Sequence, residues 1–114
     1  MEDLFGKCPY VTSQKLLAGK WSMLILHYLS ESGSLRFGEL LRMLPDLTQA
    51  TLTKHLRCLE KDGLVNRKVY PEVPPRVVYS LTEMGKGFEP VLDAYEAFGE
   101  QYIGFLKERE TAAK

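Results

Sequence analysis

Cysteine is scarce in this 114-residue chain, which carries only Cys8 and Cys58. Two thiols so far apart make neither a CxxC redox pair nor a zinc site built by one chain. The two histidines, His27 and His55, stand 28 residues apart and offer no evident acid–base pair. His27 is therefore expected to be a helix-surface residue. GxGxxG, HExxH, P-loop and GxSxG motifs are missing, so neither an enzyme nor a cofactor is expected. No apolar run approaches the roughly 20 residues that a membrane span needs. The start, Met1-Glu2-Asp3, does not resemble a signal peptide, and a cytoplasmic protein with reduced thiols is expected.

Net charge is also lacking, with 15 Lys/Arg against 15 Asp/Glu. That balance argues against a nucleic-acid binder until its distribution is considered. Residues 36–80 hold eight basic against five acidic side chains, whereas residues 81–114 hold four against seven. A local field governs encounter with a polyanion more than total charge does. Hydrophobic residues at 45% and charged residues at 26% suit a soluble globular chain, and the length suits one domain with a modest core.

The basic stretch contains residues 47–63, LTQATLTKHLRCLEKDG, the most informative segment of the chain. Thr48 suits an N-cap, Leu52, Leu56 and Leu59 recur at i, i+4, i+7, and Gly63 suits a C-terminal stop. The spacing predicts a helix with one buried stripe. At 100° per residue its opposite face carries Ala50, Lys54, Arg57 and Lys61, with Thr51 and Thr53 at the flanks and Gln49 in the first turn. Those side chains suit a DNA major groove: Arg forks onto guanine, Gln pairs adenine, a Thr methyl meets thymine and Lys neutralises phosphate. A solvated amphipathic helix fits the same pattern, so the flanks must discriminate.

Upstream, residues 1–8 read as a loose arm, and Cys8-Pro9 precedes a short helix over residues 12–18. Residues 20–29 are apolar on nearly every side, as in a central helix, with Trp21 as a core anchor. Residues 31–33 read as a turn and Ser34–Arg36 as a short strand. Phe37, Leu40, Leu41 and Leu44 recur at helical spacing until Pro45 stops them. Two short amphipathic helices across a tight link form a helix-turn-helix.

Downstream the period changes from 3.6 to 2. Leu64, Val65, Arg67, Val69 and Tyr70 suit one strand and Arg76–Leu81 another, separated by a proline-rich tip. The hairpin is either an ordinary surface feature or a wing whose Arg67, Lys68 and Arg76 meet phosphate. Its place directly after the recognition helix favours the wing. Thr82 caps a further helical segment that Pro90 kinks or restarts. Beyond it Val91, Leu92, Tyr95, Phe98, Tyr102, Ile103 and Leu106 form a stripe too long for a small core. Packing against the Trp21 helix accounts for part of it, and the same stripe of a second copy covers the rest.

By its motifs the chain resembles the HxlR family of bacterial winged-helix transcriptional regulators. The matching stretches are CPY at Cys8, AGKW over residues 18–21, RFGEL over 36–40, LxxLExDGLVxR over 56–67 and YPEVPPRVVYSLTEMG over 70–85. Ala18, Tyr10 and Val78 depart from residues common in the family, and none lies on the base-reading face. The resemblance implies a homodimer that binds DNA and regulates transcription. It also implies a role for Cys8, whose counterpart in several relatives senses oxidants or electrophiles. Lys7 beside it and the helix N-terminus after it are the surroundings in which a thiol becomes reactive. A structural Cys8 packed against the dimer helix is the alternative.

The expected fold is thus α+β and mainly helical: a winged helix-turn-helix with a C-terminal dimerisation helix. Its parts are N-terminal helices over residues 8–35, the helix-turn-helix over 36–63, the wing over 64–81 and dimerisation helices over 82–110. The expected partners are a second copy of the chain and a double-stranded DNA operator carrying an inverted repeat, with Thr48, Gln49, Ala50, Thr51, Thr53, Lys54 and Arg57 presented to the DNA. A winged helix that mediates protein–protein contact without DNA is the competing reading.

Overall fold

A computed structural model describes residues 4–17 and 21–113. Helices α1 (Pro9–Leu16) and α2 (Ser22–Ser32) lead into strand β1 (Ser34–Arg36), followed by α3 (Phe37–Met43) and α4 (Gln49–Lys61). Strands β2 (Val65–Tyr70) and β3 (Arg76–Leu81) form the hairpin, and α5 (Glu83–Lys86) and α6 (Glu89–Ala113) complete the chain. The sheet is antiparallel in the order β1-β3-β2.

Local chemistry sets most boundaries. Thr48 Oγ1 accepts from the Thr51 amide at 3.1 Å, the expected cap of α4. At the other end Gly63 adopts φ 82°, while the Leu64 amide donates to Leu59 O and the Gly63 amide to Glu60 O. That pair of bonds is a Schellman stop, which needs the left-handed conformation glycine supplies. Glu39 closes α3 by accepting from the Arg36 amide at 2.9 Å.

Three N-terminal expectations are corrected and one lies outside the described residues. The arm is ordered from Leu4, because the Lys7 and Cys8 amides both donate to Leu4 O and the Gly6 amide donates to Thr12 Oγ1. Helix α1 begins at Pro9, three residues earlier than expected, since Pro9 can itself occupy the first turn. Residues 18–20, assigned to the ends of the first two helices, lie outside the described residues. Glu31 and Ser32 complete α2 rather than a turn, because the stop comes at Gly33 with φ 81°.

The core joins Ile25, Leu26 and Leu29 of α2 to Leu40, to Leu52, Leu56 and Leu59 of α4, and to Val65, Tyr79 and Leu81 of the sheet. Each such aliphatic side chain contributes roughly 1.5–3 kcal/mol on burial. Trp21 and Phe88 pack against this core half-buried. The stripe of α4 predicted from spacing is therefore the buried one, which leaves the opposite face outward.

The hairpin base is tied to both flanking helices. Thr82 Oγ1 donates to Gly63 O at 2.6 Å and accepts from the Gly85 amide at 2.9 Å. Gly85 lies so close to the backbone just before β2 that an added Cβ would stand 2.1 Å from Leu64 O. Pro90 sits at the start of α6, so the chain restarts there rather than kinking. A hydrogen bond from Ser30 to Glu89 fixes that start to α2.

Candidate nucleic-acid interface

Gln49, Ala50, Lys54 and Arg57 are exposed on α4, while Thr51 and Thr53 are half-buried beside them. The Thr48 hydroxyl serves the helix itself: it accepts from the Thr51 amide and donates to Thr51 Oγ1 at 2.9 Å. Its contribution to an interface is thereby the shape of the first turn.

Between α4 and the hairpin runs an open cleft of about 580 Å³. Gln49, Thr53, Arg57 and Glu60 line it from the helix, and Arg67 from β2, over a floor of Phe37, Leu56, Val77 and Tyr79. Glu60, Phe37 and Tyr79 were not among the residues expected here. Glu60 was discoverable, because positions 49, 53, 57 and 60 follow one line along a helix at 100° per residue.

Strand register divides the three hairpin cations. Arg67 lies opposite Tyr79 and Val69 opposite Val77, so both share the face that turns to α4. Lys68 lies opposite Val78 and Tyr70 opposite Arg76, on the other face. There the Lys68 ammonium is 4.9 Å and the Arg76 guanidinium 4.1 Å from the centroid of the Tyr70 ring. Arg76 also pairs with Glu72 at 3.4 Å. Among the described residues Arg57 and Arg67 enter no ion pair.

Helix α6 presents the second candidate surface. Its 25 residues span about 37 Å at 1.5 Å per residue. Val91, Tyr95, Phe98, Tyr102, Ile103 and Leu106 are exposed, with Phe98 at 64%. Phe105 belongs with them and was missed; its ring lies 5.5 Å from that of Tyr102. Leu92 does not belong: it is 8% exposed within the chain's own core, because the first turn of α6 packs on α2. His27 is half-buried there, beside Met23, Leu92 and Tyr95.

Cys8 stands half-buried at the N-cap of α1, and Cys58 is exposed on α4. Among the described residues no three His, Cys, Asp or Glu side chains are grouped to hold a metal ion, and no helix is long and apolar enough to cross a membrane.

Comparison with known proteins agrees with this architecture. The family model for the HxlR-like helix-turn-helix matches residues 16–107. The transcriptional regulator YdeP of Bacillus subtilis is 42% identical over 98% of this chain and 87% of its own length. An HTH-type regulator of Methanothermobacter thermautotrophicus is 50% identical over 88% of this chain and 79% of its own. Among solved structures, the redox regulator HypR in its reduced form matches with a TM-score of 0.83 and 38% identity, covering 89% of this chain and 99% of that one. The reduced form of YodB from B. subtilis matches with a TM-score of 0.72 and 35% identity, covering 83% of this chain and 93% of that one. The relatives are transcriptional regulators rather than enzymes, and this chain belongs to the HxlR-like family of winged helix-turn-helix transcriptional regulators.

Proposed function

We propose that the protein is a sequence-specific DNA-binding homodimer in which each copy lays α4 in a major groove and its wing on the flanking backbone. The observation that carries this reading is the outward face of α4, where Gln49, Ala50, Lys54 and Arg57 stand exposed above a fully buried leucine stripe. The side chains offer a fork for guanine, an amide for adenine and charge for phosphate. Lys68 and Arg76 add cations on the wing. The exposed aromatic face of α6 supports pairing with a second copy across a two-fold axis, which matches two half-sites on an inverted repeat. The cell interior is the compartment of such a protein.

Selection of bound duplexes from a random DNA pool, followed by salt titration of the winner, tests the reading. An inverted repeat with half-sites about one helical turn apart and a steep fall in affinity with salt supports it. Weak binding that ignores salt sinks it in favour of a protein-contact module. Within the same reading Arg57→Ala lowers cognate affinity by about 1–3 kcal/mol and relaxes preference at one base pair.

Cys8 is the proposed signal input, a thiol whose oxidation or alkylation alters DNA binding. Its place at the N-cap of α1 and the similarity to the redox regulator HypR, and to the transcriptional regulator YodB solved in reduced and diamide-treated forms, support this. Operator affinity is measured before and after treatment with a thiol oxidant such as diamide. A response that persists unchanged in Cys8→Ser removes the role and leaves Cys8 as a packing residue.

A further inference from the structure

The wing cations do not form one class. Arg67 is placed on the sheet face that turns to α4, opposite Tyr79, and lines the same cleft as Gln49, Thr53 and Arg57. Lys68 and Arg76 occupy the other face, drawn over the Tyr70 ring. Arg67 is exposed, and among the described residues it has neither a ring nor a carboxylate to hold it.

From this division we infer that Arg67 is a specificity-determining residue: its guanidinium works beside Arg57 on the base edges read by α4, while Lys68 and Arg76 serve the phosphates. The inference rests on the DNA-binding reading given above and changes what one of its residues does. Two chemical arguments support it. A guanidinium presents a planar pair of donors that matches guanine O6 and N7, and Arg67 shares its cleft with the Gln49 amide, the Thr53 hydroxyl and the Arg57 guanidinium. Glu60 lines the same cleft. A carboxylate there repels phosphate, so the local balance disfavours a cleft that merely grips the backbone and favours one that discriminates between base edges.

The test compares Arg67→Lys, Arg67→Ala and Lys68→Ala in the full chain, each titrated against the selected operator and a scrambled duplex at one salt concentration. Arg67 is exposed, and matched thermal unfolding confirms that each variant folds. Both Arg67 variants are expected to lose about ten-fold or more on the operator and less than about three-fold on the scrambled duplex. Lys68→Ala is expected to lose the same factor on both. Arg67→Lys that binds the operator as the parent does, or Arg67→Ala with equal losses on both duplexes, overturns the assignment while leaving DNA binding intact. A parent protein that selects no duplex overturns the DNA reading and this inference with it.

Discussion

Arg76 and Tyr70 face each other across the wing, the guanidinium 4.1 Å from the ring centroid, and Lys68 approaches the same ring at 4.9 Å. One aromatic side chain therefore organises two of the wing's positive charges. A ring that holds a cation at an exposed site stabilises the arrangement by about 0.5–1 kcal/mol.

Tyr70→Ala should accordingly weaken operator and scrambled duplex alike, by roughly two- to five-fold, because the charges remain and only their placement is lost. Salt titration separates the two effects. The slope of log affinity against log salt should stay at the parent value in Tyr70→Ala and fall by about one in Lys68→Ala. A reduced slope in Tyr70→Ala would contradict the placement role.

Phe98→Glu combined with Tyr102→Glu should shift the protein from dimer to monomer in sedimentation velocity with little loss of monomer stability, since both rings are exposed on α6. Leu92→Ala should do the reverse in kind. It opens a cavity in the chain's own core and costs about 2–5 kcal/mol in denaturant unfolding. Unchanged sedimentation of the charged double variant would remove α6 as the pairing face.

Gly85→Ala should be among the most damaging single-methyl changes in the chain. The new Cβ would stand 2.1 Å from Leu64 O, a backbone atom that cannot swing aside, and a loss of about 3 kcal/mol is expected. Gly104→Ala meets nothing within 4 Å and lies on the side of α6 away from Tyr102. It should raise stability by up to about 1 kcal/mol through helix propensity. Calorimetric melting of the two variants gives both numbers.

Thr48→Ala removes the cap of α4 and should cost about 1 kcal/mol in urea unfolding. A neutral result would mean that the Thr48 hydroxyl does nothing for the helix.

What was legible in the sequence follows from how local each signal is. The limits of α4 and the strand Arg76–Leu81 are set by a capping hydroxyl, a left-handed glycine and a change of period, all within a few residues, and the structure places them there. Pro9 and Gly33 shift two boundaries from where apolar spacing puts them, because the proline itself occupies the first turn of α1 and the left-handed glycine sets the end of α2. Leu92 could not be told from Tyr95 by spacing, since both lie on one stripe and only the crossing of α6 over α2 decides which is covered. That Arg67 and Lys68 lie on opposite faces was legible, since neighbours in a strand alternate, but which of the two faces α4 was not. It depends on which face of the sheet meets α4, and a one-residue difference in register exchanges the faces.

Thr82 gives the molecule one more property. Its hydroxyl joins the carbonyl that ends the reading helix to the amide that opens the next, and Gly85 packs directly on the backbone between them. These contacts tie α4 to the helices that follow it, and in the proposed dimer two copies joined along α6 would form a caliper. Turning one arm against the other would change the gap between the tips. The quantity such a device gauges is the distance between two half-sites, and a chemical signal that reset the gap would silence an operator whose letters it still recognises.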